Sequence, residues 1–254
     1  MTIYFWNSRL LILDQSLSTL PHIHHYVEII ISIEGTFRIL IEDNWIETDA
    51  ILLDKDVSHQ LTGSNREQVV LLLEPETITA EALKNKFLCE SAIFILDKLV
   101  QSETKHALKN LSHPTATPEE ANRTLALLIK DILGILPTNK LFDPRVKRVL
   151  AELRSSPEKK NIRELSRLVH ISESRLMHLF KEEVGIPIRQ YILWARLMKA
   201  VNAIVAGNSF THAAHEVNFA DSAHLSRTFK RMFGKTLTEV FGSSKNISII
   251  TCED

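Results

Sequence analysis

Two stretches in the second half of the chain place small polar and basic side chains on one face of a short predicted helix. Between Ser172 and Gly185, apolar residues recur three and four positions apart, and the opposite face carries Ser174, Met177, His178 and Lys181. Between Asp221 and Gly234 the same spacing turns outward Ser222, Ala223, Ser226, Arg227 and Lys230. Hydrogen-bonding groups with positive charge suit the binding of a polyanion, because each neutralised phosphate releases condensed counterions.

Charge is divided unevenly along the chain, although the net charge is only −1. Residues 1–144 hold 12 basic and 20 acidic side chains, a balance of −8, whereas residues 145–241 hold 17 and 9, a balance of +8. Such segregation indicates two domains with different partners. On charge alone, a basic surface without a function is the alternative.

Composition bounds the class of protein. The chain has 254 residues, 44% hydrophobic and 24% charged, which fits one large or two ordinary globular domains. No apolar run reaches the ~18 residues of a membrane span, and the N-terminus lacks the basic segment of a signal peptide, so no membrane partner is predicted. Two cysteines, Cys89 and Cys252, form neither a disulfide framework nor a zinc site and favour a cytoplasmic location.

Each of the two outward-facing helices follows another short helix and a tight turn. The first pair is Ile162–Val169, a turn at His170-Ile171, and the helix that begins after Ser172. The second pair is Phe210–Val217, a turn at Asn218-Phe219, and the helix that begins after Asp221. Two short helices joined in this way define a helix-turn-helix, and a long predicted helix from about Ile188 to Val205 connects the two units.

The stretch from Asp143 to Phe241 resembles the DNA-binding domain of the AraC/XylS family of bacterial transcription regulators. The matching segments are DPRVKRVLAEL, IRELSRLVHISESRLMHLFKEEVGIPIRQYI, RLMKAVNAIV and VNFADSAHLSRTFKRMFGKTLTEVF. The resemblance implies seven helices with two recognition helices in major grooves about 34 Å apart. Asn218 stands where the family usually has Gly, and Asn tolerates the left-handed backbone that the turn needs. His212 and His215 stand where aliphatic residues are commoner.

The resemblance also assigns the DNA-binding residues. The side chains that it places at base edges are Ser174, Met177, His178, Ser222, Ala223, Ser226 and Arg227. The side chains that it places at phosphates are Lys181, Lys230 and Arg231. Arg227 is the clearest candidate for a base contact, because an arginine can bind guanine O6 and N7 together. For each residue, the alternative is a solvated helix face.

The first half of the chain has the alternation and the turns of a small β-barrel or sandwich. The clearest predicted strands are Val27–Ile33, Thr36–Ile41, Ala50–Leu53 and Gln68–Leu73, with turns at Glu34-Gly35, Asp43-Asn44 and residues 62–65. Helices are predicted at Ile78–Cys89, Ala92–Gln101, Lys105–Leu111 and from Thr117 to about Leu136. An apolar stripe on the last helix favours either packing inside its own domain or a dimer seam; its members are Ala121, Leu125, Leu128, Ile132 and Ile135.

These patterns predict an α+β chain with four parts. Residues 1–136 form a cupin-like sensor and dimerisation domain, a β-barrel with helices. Residues 137–142 are a linker, residues 143–241 an all-α double helix-turn-helix domain, and residues 242–254 a tail. Asp143 followed by Pro144 is typical of a helix start and marks the beginning of the DNA-binding part.

The histidines near residue 22 resemble the first motif of the cupin barrel, in which two histidines and a glutamate precede a glycine. Here these residues are His22, His24, Glu28 and Gly35, and the resemblance implies a metal site completed by His59. The Pro and Gly of the second cupin motif are Asp54 and Asp56 here, and sensor domains of the family often keep histidines at this place without a metal. We therefore predict no metal and no cofactor, with His22, His24, Glu28 and His59 as the alternative metal ligands.

The predicted function is sequence-specific DNA-binding transcription regulation rather than catalysis. A small-molecule effector bound in the barrel would shift the population between two DNA-binding states. The polar and aromatic residues chosen for its site are His24, Tyr26, Glu28, Arg38, Trp45 and His59. The predicted partners are double-stranded DNA, the effector, a second copy of the chain and, for an activator, RNA polymerase. The alternatives are a metal-dependent cupin enzyme that carries a DNA-binding domain, and an unliganded protein-interaction module.

Overall fold

The computed structural model describes residues 1–6, 8–15, 17–62, 66–137, 142–242 and 247–252. Parts of the predicted turn at 62–65, linker at 137–142 and tail at 242–254 lie outside these ranges. The chain divides into two compact units: an N-terminal unit of Met1–Asn139 with Lys230–Asp254, and a helical unit of Lys140–Phe229. Among the described residues, no helix is long and apolar enough to cross a membrane.

The N-terminal unit is built on two β-sheets. Its strands are β1 (Thr2–Phe5), β2 (Arg9–Asp14), β3 (Val27–Ser32), β4 (Phe37–Ile41), β5 (Asn44–Thr48), β6 (Ala50–Leu53), β7 (His59–Thr62), β8 (Gln68–Leu73), β9 (Ile93–Ile95) and β10 (Ser248–Thr251). One sheet has the order β10-β1-β2-β8-β3-β6-β9 and the other β5-β4-β7. The β1–β10 pair is parallel and the other pairs are antiparallel. The four strands predicted with definite bounds are confirmed to within one residue.

Strands β3 and β8 lie in the middle of the larger sheet, and every residue in them is buried. Both are runs of β-branched and aliphatic residues, as expected for strands covered on two faces. Val27, Ile29 and Ile31 belong to the hydrophobic core that the sheet shares with the helices of this unit. Because side chains alternate along a strand, Glu28 projects from the opposite face of β3.

Three helices cover the core face of the larger sheet: α1 (Ile78–Phe87), α2 (Ser102–Asn110) and α3 (Pro118–Leu133). The predicted start of α3 is confirmed, because Thr117 and Glu120 form a reciprocal capping box. The apolar stripe of α3 packs inside its own unit: its first four members are buried in the core, whereas Ile135 lies beyond the helix and is 70% exposed. Packing, rather than a dimer seam, therefore explains most of the stripe.

The predicted helix at Ala92–Gln101 is wrong. Residues Ile93–Ile95 form β9, which pairs antiparallel with β6 at the edge of the larger sheet. Ile93–Ile95 is made of β-branched and aromatic residues, which favour strands. The free edge of β6 supplies its hydrogen-bond partners, and the local sequence pattern does not reveal that partner strand. Helix α2 then begins only at Ser102.

The seven helices predicted between residues 143 and 241 are all present in that described stretch. They are α4 (Pro144–Ser155), α5 (Ile162–Leu168), α6 (Glu173–Val184), α7 (Ile188–Val205), α8 (Phe210–Glu216), α9 (Ser222–Phe233) and α10 (Leu237–Phe241), with a 3₁₀ turn at Pro157–Lys159. The core of the helical unit includes Leu165, Leu176, Phe180 and Tyr191. Contacts group residues from Lys230 onward with the N-terminal unit, and the domain boundaries at residues 136 and 241 stay predictions.

The segment predicted as a tail contributes a strand. In β10, Ser248 lies opposite Thr2 and Thr251 opposite Phe5. The Cys252 amide then donates to the Phe5 carbonyl at 2.8 Å, and Cys252 is buried in the core of the N-terminal unit. The chain therefore returns, after all the helices of the second half, to the sheet on which it began.

Candidate nucleic-acid interface and buried histidine cluster

The two helix-turn-helix units have the same local geometry. In the first, His170 has φ 55° and Ser172 caps α6 by accepting a hydrogen bond from the Arg175 amide at 3.2 Å. In the second, Asn218 has φ 60° and Asp221 accepts a hydrogen bond from the His224 amide. Both helix-turn-helix units therefore repeat two features. One is a turn residue with a left-handed backbone, and the other is a capping side chain that accepts from the amide three residues later. Together they fix the start and direction of α6 and α9.

Asn218 confirms the expectation that the second turn survives without glycine. Its backbone is left-handed, and its side-chain amide donates to the Glu158 carbonyl at 2.7 Å. The two unusual histidines on α8, His212 and His215, lie on the exposed side of the helix. The buried residues of α8 are Ala213 and Ala214, so the histidines do not disturb its packing.

The residues predicted to contact DNA lie mainly on exposed helix faces. On α6, Ser174, Met177, His178 and Lys181 are exposed, while Leu176, Leu179 and Phe180 are buried. On α9, Ala223 and Arg227 are exposed, Ser222 and Ser226 are half-buried, and Leu225 and Phe229 are buried. Lys230 and Arg231 are also exposed, in the last turn of α9 that groups with the N-terminal unit. The assignment of these side chains to bases or phosphates stays a prediction.

A basic cleft beside the first helix-turn-helix was not found from the sequence. It brings together Lys160, Arg163, Arg189 and Arg196, with Glu173 at its edge. The Arg196 guanidinium donates to the Pro157 carbonyl at 3.2 Å, which ties α7 to the 3₁₀ turn. Lys160 precedes α5, Arg163 lies on α5, Glu173 on α6, and Arg189 and Arg196 on α7, so only the folded unit places their charges side by side.

The residues predicted to bind an effector separate into two groups. His24, Tyr26, Glu28 and His59 are buried together in the N-terminal unit. Arg38 and Trp45 instead lie on exposed positions of the β4–β5 hairpin, where the Arg38 guanidinium is 4.8 Å from the centre of the Trp45 ring and Trp45 is 45% exposed. The structure therefore does not bring Arg38 and Trp45 to the buried group.

His22 joins the buried group through the backbone. His22 and His59 exchange two main-chain hydrogen bonds of 3.0 and 3.1 Å, so their side chains are cross-strand neighbours. Their ring centres are 4.2 Å apart, and the His24 ring lies 5.5 Å from His22 and 5.0 Å from His59. We call His22, His24, His59 and Glu28 the histidine cluster.

Hydrogen bonds orient each ring of the histidine cluster. The Nδ1 atoms of His22 and His59 lie 2.9 and 3.0 Å from the Leu20 and Val57 carbonyls, which only accept, so both Nδ1 atoms carry hydrogen. The Nε2 atoms of these two rings therefore turn toward the cluster. His24 Nδ1 accepts from the Tyr26 amide at 3.3 Å, so its Nε2 donates to Glu28 Oε2 at 3.2 Å.

The electrostatics of the cluster centre on one buried carboxylate. Burial alone would raise the pKa of Glu28, but His59 and His24 outweigh it and hold that pKa well below its ordinary value. Burial alone would lower the pKa of His59, but the Glu28 charge raises it above its ordinary value. Burial and the neighbouring His59 lower the pKa of His22 to about 3, which keeps that ring neutral. Glu28 and His59 thus form a buried ion pair beside a neutral imidazole.

The histidine cluster fits the metal ion that its motif implies. One ring nitrogen from each of His22, His24 and His59 lies within 4.8 Å of the other two, and all three rings are buried. His59 Nε2 is 3.0 Å from Glu28 Oε2 but off the direction of a hydrogen bond. Imidazole nitrogens with a nearby carboxylate are ligands that zinc, iron, nickel and cobalt accept.

Comparisons with known proteins agree with the helical geometry. A family model described as a helix-turn-helix domain matches residues 165–243. The chain is 26% identical over 228 residues, 85% of its length, to the probable transcriptional regulator LumQ of Photobacterium leiognathi, and covers 90% of that protein. It is 32% identical over 137 residues to the uncharacterized HTH-type transcriptional regulator YidL of Escherichia coli, covering 46% of it.

Solved structures of ToxT from Vibrio cholerae share the fold of the whole chain. One of them has a TM-score of 0.57 at 12% identity, over 92% of this chain and 98% of ToxT. ToxT has also been solved with an unsaturated fatty acid and with (E)-4-(8-methylnaphthalen-1-yl)but-3-enoic acid. The architecture of a strand-rich N-terminal part followed by two helix-turn-helix units is therefore shared with a known structure.

Proposed function

We propose that this chain is a DNA-binding transcription regulator of the AraC/XylS type, in which α6 and α9 are recognition helices that enter successive major grooves of one duplex. The repeated geometry of the two units carries this proposal: each has a left-handed turn residue, a capped recognition helix and an exposed polar face. Helix α7 has 18 residues, is about 27 Å long and connects the two helix-turn-helix units. Such a spacer suits grooves about 34 Å apart.

Charge supports the same role. The excess of basic residues lies in the half of the chain that carries both helix-turn-helix units. The cleft with Lys160, Arg163 and Arg189 adds cations beside the start of α6. Phosphate contacts position a protein on DNA, and base contacts give it specificity. Selection of bound fragments from random duplex DNA by the full chain tests the proposal, and failure to enrich any sequence would contradict it.

Arg227→Ala is expected to weaken binding to the selected site by about 1–3 kcal/mol and to relax the preference at one base pair. Arg227 is exposed on α9, and a guanidinium that binds guanine O6 and N7 discriminates against the other bases. Repeating the selection with the variant measures the effect. Equal weakening on every sequence would show that Arg227 contacts only phosphate.

Lys181→Ala is expected to weaken binding to all sequences alike and to reduce the slope of log affinity against log salt by about 1. Lys181 is exposed one turn beyond His178 on α6, where it would meet a phosphate rather than a base. Titrations at several salt concentrations on selected and scrambled duplexes measure the slope. A change of preference at one base pair, with the slope unchanged, would reassign Lys181 to base recognition.

We further propose that a small effector bound in the N-terminal unit controls DNA binding. The buried, polar group of His24, Tyr26, Glu28 and His59 supports an effector site there, and ToxT, which shares the fold, binds small carboxylic acids. An effector can shift a population only if it binds the two states with different affinity. Thermal-shift screening of the full chain with metabolites and ions tests this, because a ligand that binds the native state raises its melting temperature.

Assembly and catalysis are the remaining parts of the proposal. We propose that the chain acts as a homodimer, which repeated half-sites in the selected DNA would support, and that an activating form would contact RNA polymerase. We propose no enzymatic role, because the helix-turn-helix domain and the similarity to a probable transcriptional regulator favour DNA binding over turnover. Metal-dependent turnover of a substrate, lost in a His24→Ala variant, would favour the cupin enzyme instead.

A further inference from the structure

We propose that His22, His24 and His59 hold a divalent transition-metal ion, and that this ion is an effector that acts on the end of α9 through His22 and Gly234. The inference rests on the proposed function and names the chemical class of its effector. It joins two observations that are independent of each other. One is the ligand geometry of the histidine cluster, and the other is the close approach of the Leu20 backbone and the His22 ring to Gly234.

The size of the cluster selects an ion over an organic molecule. The four side chains are only 2–7% exposed, and the ring centres are 4.2–5.5 Å apart. Ring nitrogens within 4.8 Å of one another can share one metal ion, so the effector that we propose at this place is a bare ion.

The donor set is prepared for a metal. The Leu20 and Val57 carbonyls hold the Nδ1–H groups of His22 and His59, which leaves Nε2 of both rings to bind the ion. Such outer contacts orient the histidine ligands of metal sites. On binding, any proton on a ligand nitrogen passes to solvent, because a histidine binds a metal in its neutral form. The Glu28 carboxylate then balances part of the ion's charge.

Loading the site requires the rings to approach one another. The three ligand nitrogens now lie within 4.8 Å of one another. Zinc–nitrogen bonds of 2.0–2.1 Å in a tetrahedron place the nitrogens about 3.3 Å apart. The three rings, including His22, must therefore adjust as the site fills, and the two states of the site differ in shape as well as in charge.

His22 is also the residue through which the cluster contacts the end of α9. The Leu20 amide donates to the Gly234 carbonyl at 3.1 Å, and the Gly234 amide closes α9 by donating to Lys230 at 2.8 Å. A Cβ atom at Gly234 would lie 2.7 Å from the Leu20 oxygen and 2.8 Å from His22 Nδ1. Gly234 has φ 65°, so both its conformation and its surroundings exclude a side chain.

Any adjustment of His22 when the site fills is therefore felt at Gly234, the residue that follows a proposed recognition helix. The Leu20 carbonyl touches both partners, since it accepts from His22 and borders Gly234. If ion binding changes DNA affinity by some factor, DNA must change ion affinity by the same factor. A ligand at one site typically changes the affinity of the other site by about five- to 150-fold. We therefore expect the ion to change DNA affinity by about fivefold or more.

The test uses the full chain stripped with chelator and then titrated with Co²⁺, Zn²⁺, Ni²⁺ or Mn²⁺. Calorimetry and the visible absorption of Co²⁺ report the ion site without DNA, and a duplex from the selection reports DNA affinity with and without the ion. We expect one ion per chain, bound by nitrogen ligands, and lost in His24→Gln and His59→Gln. Circular dichroism of the ion-free variants shows that they are folded.

A pair of glycine variants tests the coupling. Gly234→Ala places a methyl group against Leu20 and His22 and is expected to abolish the shift in DNA affinity at ion concentrations that, by Co²⁺ titration of the same variant, still fill the site. Gly134→Ala is the matched control, because Gly134 ends α3 with φ 82° and has nothing within 4 Å of an added Cβ. It has the same backbone strain and should keep the full shift.

Each failure has a distinct meaning. No ion bound, or binding that survives both histidine variants, overturns the metal site. Stoichiometric binding with a DNA affinity that changes less than twofold overturns the regulatory step, as does a shift that persists in Gly234→Ala. A chain that binds Co²⁺ but no duplex contradicts the proposed function and the regulatory step together, and leaves the ion site supported by its stoichiometry.

Discussion

A Glu28→Ala variant, studied without metal, is expected to lose about 3–5 kcal/mol of the free energy of unfolding of the N-terminal unit. Glu28 is 3.0 Å from His59 and 3.2 Å from His24, and none of the three side chains is more than slightly exposed. Removing one partner of a buried ion pair leaves the other charge without compensation, which costs more than the pair contributes. Chemical denaturation of the full chain followed by fluorescence measures the loss.

The pH dependence of this loss identifies its cause. The pKa of Glu28 is lowered by folding, so its contribution is present above the ordinary value of 4.5 and is lost as pH falls through the folded pKa. The pKa of His59 is raised, so its contribution is present below the ordinary value of 6.5 and is lost as pH rises through the folded pKa. The difference between wild type and Glu28→Ala should therefore be largest between pH 4.5 and 6.5.

Glu90→Ala provides the control, because Glu90 is exposed and its removal should change stability by less than about 0.5 kcal/mol. A Glu28→Ala variant as stable as wild type across this pH range would show that Glu28 and His59 are not an ion pair in the folded protein.

Phe180→Ala is expected to destabilise the helical unit by about 3–5 kcal/mol and to abolish DNA binding at temperatures where wild type binds. Phe180 is fully buried in α6, and its ring meets the Tyr191 ring edge-on with centres 5.5 Å apart. Its loss leaves a cavity between the first recognition helix and α7, and the aromatic contact is lost as well. Thermal melting and duplex binding on the same preparation measure both effects.

Met177→Ala is the matched variant on the same helix. Met177 is 38% exposed whereas Phe180 is fully buried, so removal of the Met177 side chain should change stability by less than about 1 kcal/mol. Any loss of DNA affinity in Met177→Ala then comes from the interface rather than from unfolding. Unchanged melting of Phe180→Ala would contradict the packing of α6 against α7.

The helical half was predictable because its signals are local. Each signal lies within a few positions of the structure that it determines. Examples are the capping residues Asn161, Ser172 and Asp221 and the turn residue Asn218. The same locality explains the errors. Strands β9 and β10 depend on the free edges of β6 and β1, which lie far away along the chain, and no pattern within three or four residues encodes such a partner.

The candidate site was predicted in part for the same reason. His22, His24 and Glu28 lie in one short motif, and the resemblance to cupins added His59. The inclusion of Arg38 and Trp45 depended on which face of β4 and β5 points inward. Phe37 and Ile39 are buried, so alternation turns Arg38 outward, and its partner across the hairpin, Glu47, is exposed as well. The contact of Gly234 with His22 joins residues over 200 positions apart and leaves no mark in the sequence.

The parallel pairing of β1 with β10 sets an order of events during synthesis. A ribosome adds about 5–20 residues per second, so β1 emerges many seconds before Ser248–Thr251 can pair with it. During that interval β1 has β2 on one side and an open edge on the other. An unpaired strand edge on a nascent chain is a site for wrong pairing. The helices of the second half are synthesised before β10 can complete the sheet. Closure of this edge therefore waits until the helices of the second half have been synthesised.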